Sequence, residues 1–279
     1  MIGRSQGRSA VACAAYRSGQ TLADDRYGKV HDYAPRRVIT QAGIVAPENA
    51  PGWAYDREKL WNHVEAVESR KDAQLAREFT LALPSQVSDE VRVELVETFI
   101  REQLIPRGMI VDYAIHAPNR KGDERNFHAH LMTTLRPLEA GELSLIKDRE
   151  ACTREFIETW REAWAAIQNR AFERLQIKDE EGRILHTDHR SYEAQNIDRE
   201  PTMHVGVLAM ALERQGVPTE IGDRNRAIRR ANDMRQNFVR PGQQLSHEGP
   251  ELDRPDPARP ERYRPNRNRR DRDRDDYER

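Results

Sequence analysis

Residues 109–134 read MIVDYAIHAPNRKGDERNFHAHLMTT, and two alternating runs within them decide the fold. In a β-strand successive side chains point to opposite faces, so residues two apart share one. The first run sets Met109, Val111, Tyr113 and Ile115 against Ile110, Asp112, Ala114 and His116. The second sets Phe127, Ala129 and Leu131 against His128, His130 and Met132. Between them, Pro118 to Gly122 is polar and turn-rich, so the pair is predicted as a hairpin. His128 and His130 then project side by side, and His116 ends the neighbouring strand on the face that would carry a third imidazole. Three neutral imidazoles can share one divalent ion at about 2.0–2.2 Å each. They leave positions open for water or a phosphate oxygen, as a catalytic metal requires.

The same alternation marks a third strand over 76–83, with Phe79, Leu81 and Leu83 against Glu78, Thr80 and Ala82. Residues 36–45 have strand-like content in Val38, Ile39, Ile44 and Val45. Helical spacing appears elsewhere. Ser9 is a plausible N-cap for a small-residue helix stopped by Gly19. Leu60, Trp61, Val64 and Val67 mark an amphipathic helix near 56–71, and Ser88 opens another along Val91, Leu95 and Phe99. A long helix near 147–176 carries Phe156, Trp160, Trp164, Ile167, Ala171 and Leu175 as its buried stripe. The order predicts an α+β fold, an antiparallel sheet flanked by helices. A further Arg-rich helical region lies over 205–236.

Of the 279 residues, 37% are hydrophobic and 33% charged, so much of the chain is expected to be solvated helix or disordered tail. No run reaches the apolar length of a membrane span, which predicts no membrane insertion. After Arg4 and Arg8, Ser-Ala-Val-Ala-Cys-Ala-Ala is too short and weakly apolar for a secretory core. Cys13 and Cys152 lie far apart in no motif, which fits a reduced, cytoplasmic setting. A net charge of -1 excludes a uniformly basic nucleic-acid coat but leaves room for a local basic groove. Residues 241–279 turn to Pro, Arg, Asp and Glu with almost nothing apolar, and are expected to be disordered.

A metal alone does not name a reaction. Tyr16, followed by Arg17-Ser18-Gly19, sits on the small-residue helix. A tyrosine hydroxyl, with pKa near ~10, is a weak nucleophile unless a metal withdraws charge from the phosphate it attacks. Spacing alone does not select Tyr16 over Tyr27 or Tyr33. Gly-Arg-Ser-Ala-Val-Ala-Cys-Ala-Ala-Tyr-Arg-Ser-Gly (7–19), His31-Asp32-Tyr33, the run from Lys71 to Glu78, and His116/His128/His130 together closely resemble the MobA/MobL relaxases. That family includes the relaxase half of the Ti-plasmid TraA proteins. The resemblance runs from about residue 3 to 204 and ends on His189-Arg190-Ser191-Tyr192 and Arg199-Glu200-Pro201-Thr202, for which no chemical role is evident.

The resemblance implies a HUH endonuclease fold, with 1–204 as the relaxase domain, 205–240 as a helical extension and 241–279 as a charged tail. It implies that Tyr16 attacks a specific phosphate at an origin of transfer, with Mg²⁺ or Mn²⁺ on the three histidines. The 5′ end stays on the tyrosine and the strand is later resealed. Glu78 matches the acidic residue that orients a ligand histidine. Asp32 is a looser candidate for a base or orienting group, with a turn cap as its plainer reading. Arg8 and Arg17 are candidate phosphate contacts, since guanidinium matches phosphate geometry. Implied partners are single-stranded origin DNA, accessory mobilisation proteins and a type IV coupling protein. Family members begin with a strand ahead of the Arg-Ser segment in which this chain starts, so the sheet is expected to lack that first strand and to show an edge or gap there. Two other readings stay open: a non-catalytic relaxase that binds origin DNA, and a rolling-circle replication initiator. Initiators usually place the tyrosine after the metal motif.

Overall fold

Period-two alternation builds one sheet of five strands: β1 (Ile2–Gly3), β4 (Ile39–Val45), β5 (Gln74–Ala82), β6 (Val111–His116) and β7 (His128–Thr134). The computed structural model describes residues 1–34, 39–118 and 123–238. The strand order is β1-β5-β7-β6-β4, with every neighbouring pair antiparallel. The predicted hairpin is β6–β7. Residues 119–122 of its loop and the tail read as disordered lie outside the described residues. On the outer side of β5, Ile2–Gly3 pairs only near Gln74 and Ala76.

Among the described residues, six α-helices cover the sheet and extend from it: α1 (Ala10–Ser18), α2 (Arg57–Val67), α3 (Asp89–Phe99), α4 (Arg154–Leu175), α5 (Val207–Arg214) and α6 (Glu220–Phe238). Their starts follow the capping chemistry of the sequence. Ser9 accepts from the Ala12 N–H, Asp56 from Lys59, Ser88 from Val91 and Thr153 from Phe156. Gly19 ends α1 at φ 62°, a left-handed conformation that glycine adopts without strain.

Alternation then divides the core in two. Leu81, Val111, Tyr113, Ile115, Ala129 and Leu131 pack under α3 and α4, against Val96, Phe99, Trp160 and Ile167. On the other face Ala76, Ile110 and Met132 pack under α1 and α2, against Val11, Ala14, Leu60 and Trp61. Buried ions anchor this second layer. Asp112 accepts from both Arg57 Nε and Nη2 and, at 2.8 Å, from Trp61 Nε1. Glu65 pairs with buried Arg4 and accepts the Ala10 N–H at 2.8 Å, a carboxylate at the start of α1 where the helix dipole favours it.

Four features add to or depart from the sequence reading. Thr21–Asp24 (β2) and Lys29–Asp32 (β3) form a hairpin that was not expected, its turn including Gly28 at φ 60°. A second small hairpin joins β8 (Leu138–Glu139) to β9 (Glu142–Leu143). On α4, Phe172 is buried while Leu175 is 40% exposed, so the stripe turns by a residue as the 3.6 period accumulates. The region 205–236 is two helices, broken near Gly216 at φ 77°. Asn225 and Asn232, two turns apart on α6, each clamp a backbone from both sides: Asn225 that of Met203, Asn232 that of Glu200. The Arg199–Thr202 segment, without a role in the sequence, is thus pinned along α6.

Asp112→Ala is expected to lower the unfolding free energy by about 3–5 kcal/mol, because the Arg57 charge would stay buried without its partner. A urea titration would show a lower midpoint at unchanged slope. A wild-type midpoint would remove Asp112 from the anchors of this layer.

Candidate metal centre

Register brings the three histidines together. His116, at the end of β6, stands opposite His128 at the start of β7, and His130 stands between Ala114 and Thr80. One ring nitrogen from each lies within 4.8 Å of the others, and all three residues are half-buried. Donor atoms sharing one ion at ~2.0–2.1 Å would lie roughly 3–3.5 Å apart, so a small inward rotation of the rings closes the set.

Each imidazole is held through one nitrogen. His116 Nε2 donates to the Arg17 carbonyl at 2.8 Å, and His128 Nδ1 to the Asn126 carbonyl at 2.9 Å. His130 Nδ1 faces Glu78 Oε1 at 3.4 Å, with Thr80 Oγ1 also at 3.4 Å. Carbonyls and carboxylates accept only, so the bonded nitrogen carries the proton and the other keeps its lone pair. Nδ1 of His116 and Nε2 of His128 and His130 are therefore the available metal donors. An acceptor behind each ligating imidazole is the arrangement that orients metal ligands, and by this test the residues fit a divalent ion. Burial pushes His116 down to about 4 and lowers His128 as well, so both are neutral near pH 7.

The last turn of α1 reaches the same place. Ala10, Val11, Ala14 and Ala15 are buried, and their small side chains let the helix lie close to the sheet. The Arg17 carbonyl is among the four that a helix leaves unpaired at its C-terminus, and His116 satisfies it. The guanidinium donates from Nε to Glu78 Oε1 at 2.5 Å and from Nη1 to the Cys13 carbonyl at 2.8 Å. Burial pushes the Glu78 carboxyl up, but hydrogen bonds from His130 and Arg17 outweigh it and bring it down to about 2. Tyr16, one residue before Arg17, is 38% exposed, with its ring edge-to-face on Tyr33 at 5.3 Å.

The other predicted residues are placed differently. Asp32 is exposed and accepts from the Thr21 hydroxyl at 2.7 Å and the Ala34 N–H at 3.2 Å. Those bonds lower its carboxyl below the ordinary range and weaken it as a base, leaving the turn-anchoring role. Arg17, read as a phosphate contact, instead has its guanidinium occupied by Glu78 and Cys13. Arg8 is exposed just ahead of α1. Sequence reasoning missed the Asn126 and Arg17 carbonyls and Thr80. No local signal marks a carbonyl acceptor, and Thr80 is recognisable only once the β5–β7 register is known.

The sequence model of the MobA/MobL family matches residues 8–215. Conjugal transfer protein TraA of Agrobacterium fabrum is 35% identical over 249 residues, 79% of this chain and 22% of its own length. Mobilization protein MobL of Acidithiobacillus ferridurans is 31% identical over 243 residues, 77% of this chain and 62% of its own length. The chain thus spans less than a quarter of TraA, at 22%. A structure solved for the molecular basis of vancomycin resistance transfer in Staphylococcus aureus aligns with a TM-score of 0.59 at 32% identity, covering 68% of this chain and 95% of that one.

With a chelator present, the fold is expected to lose stability as pH falls from 6.5 towards about 4. In that window the unfolded chain protonates His116 and the folded chain does not, so the unfolded state binds more protons and stability rises with pH. Urea midpoints across the window would follow this slope, and His116→Asn should flatten it. An equal slope in the variant would show that His116 is not the group responsible.

Proposed function

The chain belongs to the MobA/MobL family, and on that premise we propose that it is the strand-nicking domain of a mobilisation relaxase. In this reading Tyr16 attacks a phosphodiester of single-stranded DNA at an origin of transfer. The observation that carries it is the hydrogen bond from His116 to the carbonyl of Arg17, which sets the end of the tyrosine's helix against the three imidazoles. The proposed unit is 1–204, with 205–240 as a helical extension and 241–279 as the charged tail.

His116, His128 and His130 would hold Mg²⁺ or Mn²⁺, which when bound supplies Lewis-acid stabilisation of the charge that develops on the phosphate. The chain's own groups do the rest. As the Tyr16 Oη–P bond forms, the P–O3′ bond breaks. The phenol proton leaves to solvent and the departing 3′ oxygen takes one up. One phosphoester bond replaces another, so the 3′-OH can later attack the phosphotyrosine and reseal the strand without a nucleotide cofactor. Glu78 fixes the tautomer of His130, and the Asn126 carbonyl that of His128. Arg8, exposed ahead of the nucleophile's helix, contacts a backbone phosphate. Partners of the reaction are origin DNA, accessory mobilisation proteins and a type IV coupling protein, in the cytoplasm. Among the described residues no helix is long and apolar enough to cross a membrane.

Incubating the chain with Mn²⁺ and labelled single-stranded oligonucleotides from its plasmid's origin region should give a covalent adduct on a denaturing gel. Tyr16→Phe is expected to abolish that adduct, and His128→Ala to abolish Mn²⁺ binding measured by calorimetry. An adduct that survives Tyr16→Phe refutes the assigned nucleophile. Binding of the cognate origin without an adduct favours the non-catalytic reading.

A further inference from the structure

Arg17 touches the site twice, through two chemically independent groups. Its main-chain carbonyl accepts from His116 Nε2 at 2.8 Å. Its guanidinium bonds Glu78 Oε1 through both Nε and Nη2, and the same oxygen faces His130 Nδ1. The third nitrogen, Nη1, returns to the Cys13 carbonyl one turn back on α1. The Arg17 and Glu78 side chains keep only 13% and 20% of their surface exposed, so this pair is not a solvated surface bridge. Two of the three imidazoles are therefore oriented by the residue that follows Tyr16 in the chain.

We infer that Arg17 is a positioning residue that couples the seat of Tyr16 to the geometry of the metal ligands. A forked guanidinium on one carboxylate oxygen fixes where that oxygen lies, and the oxygen in turn fixes the rotation of His130. Tightening the imidazoles pulls on Glu78, Arg17 and the end of α1; loosening α1 releases the imidazoles. Such coupling is reciprocal: whatever the ordered helix end contributes to ion affinity, ion binding returns as order at Tyr16. This inference rests on the reading that the three histidines bind a divalent ion.

The test uses the full chain without DNA. Mn²⁺ affinity is measured by calorimetry for wild type, Arg17→Met, Arg17→Lys, Glu78→Gln and the Arg17→Met/Glu78→Gln double variant. In parallel, fluorotyrosine NMR follows the Tyr16 resonance, assigned with Tyr16→Phe. Arg17→Met is expected to weaken Mn²⁺ about tenfold, the low end of the range for groups that orient ligands. The double variant should be little weaker than the worse single one, and Arg17→Lys should recover part of the loss. In wild type Mn²⁺ should broaden or shift the Tyr16 signal. Zn²⁺, which is diamagnetic, should shift it too, and that shift should shrink in Arg17→Met. Circular dichroism melts identify a variant that fails to fold, in which case Arg17→Lys alone carries the comparison. Wild-type protein that binds neither ion would overturn the metal reading and the coupling with it. Affinities within twofold across the folded variants, with an unchanged Zn²⁺ shift at Tyr16, would overturn the coupling alone.

Discussion

His116 stands opposite His128 across an antiparallel pair, and everything at the site depends on that register. Side chains alternate strictly along a strand, so a slip of one residue would send His128 and His130 into the layer under α3 and α4. There they would displace Ala129 and Leu131, both fully buried, and leave imidazole nitrogens without partners in an apolar core. The apolar set on one face therefore enforces the polar set on the other. Phe79, Leu81, Tyr113, Ile115 and Leu131 line up the histidines by being where they must be.

Register alone would leave the imidazoles free to rotate, and α1 supplies what the sheet lacks. Its small buried side chains bring it close, and Glu65 holds its first N–H while His116 takes a carbonyl in its last turn. The helix is thus tied at both ends by side chains from elsewhere in the fold. Its C-terminal end, where the macrodipole is negative, lies at the imidazole cluster, an orientation that suits a cation. The Asp112–Arg57–Trp61 cluster fixes α2 on the same face, and α2 presents Glu65 to α1. A buried ionic network on the same face of the sheet is in this way part of what holds α1.

Much of this was legible in the sequence, and the boundary of legibility is physical. Strands β5, β6 and β7 follow from alternation, and helix starts from Ser9, Ser88 and their acceptor geometry, because both signals are local. The three-histidine set followed because His-x-His and a third histidine on a facing strand need only the pleat. The β2–β3 hairpin escaped because four of its eight strand residues are exposed and two more half-buried, and Leu22 is its one buried apolar residue. Arg17 and Glu78 are 61 residues apart, and no periodicity links them. Only the sheet order, with β5 beside β7, brings that carboxylate to His130. The Asn225 and Asn232 clamps escaped for the same reason: an asparagine that binds a distant backbone looks like any surface asparagine on a polar helix.

Charge at the centre gives the parts a common logic. With His116 and His128 neutral, and with Glu78 ionised but matched by Arg17, these groups add little net charge to the cluster. That balance matters because the surroundings are partly buried, where an uncompensated charge is costly and would itself shift the imidazoles towards protonation. A divalent cation would therefore add nearly its whole charge to the site, since Arg17 already offsets the carboxylate closest to it. The surplus would be positive and would lie at the C-terminal end of α1, where the Arg17 carbonyl meets His116. Pairing Glu78 with an arginine thus keeps the carboxylate as an orienting acceptor for His130 while preventing it from cancelling the charge of a bound cation. A glutamine at that position would orient less strongly, and an unpaired glutamate would cancel more of the cation's charge. The ion pair satisfies both requirements with two side chains.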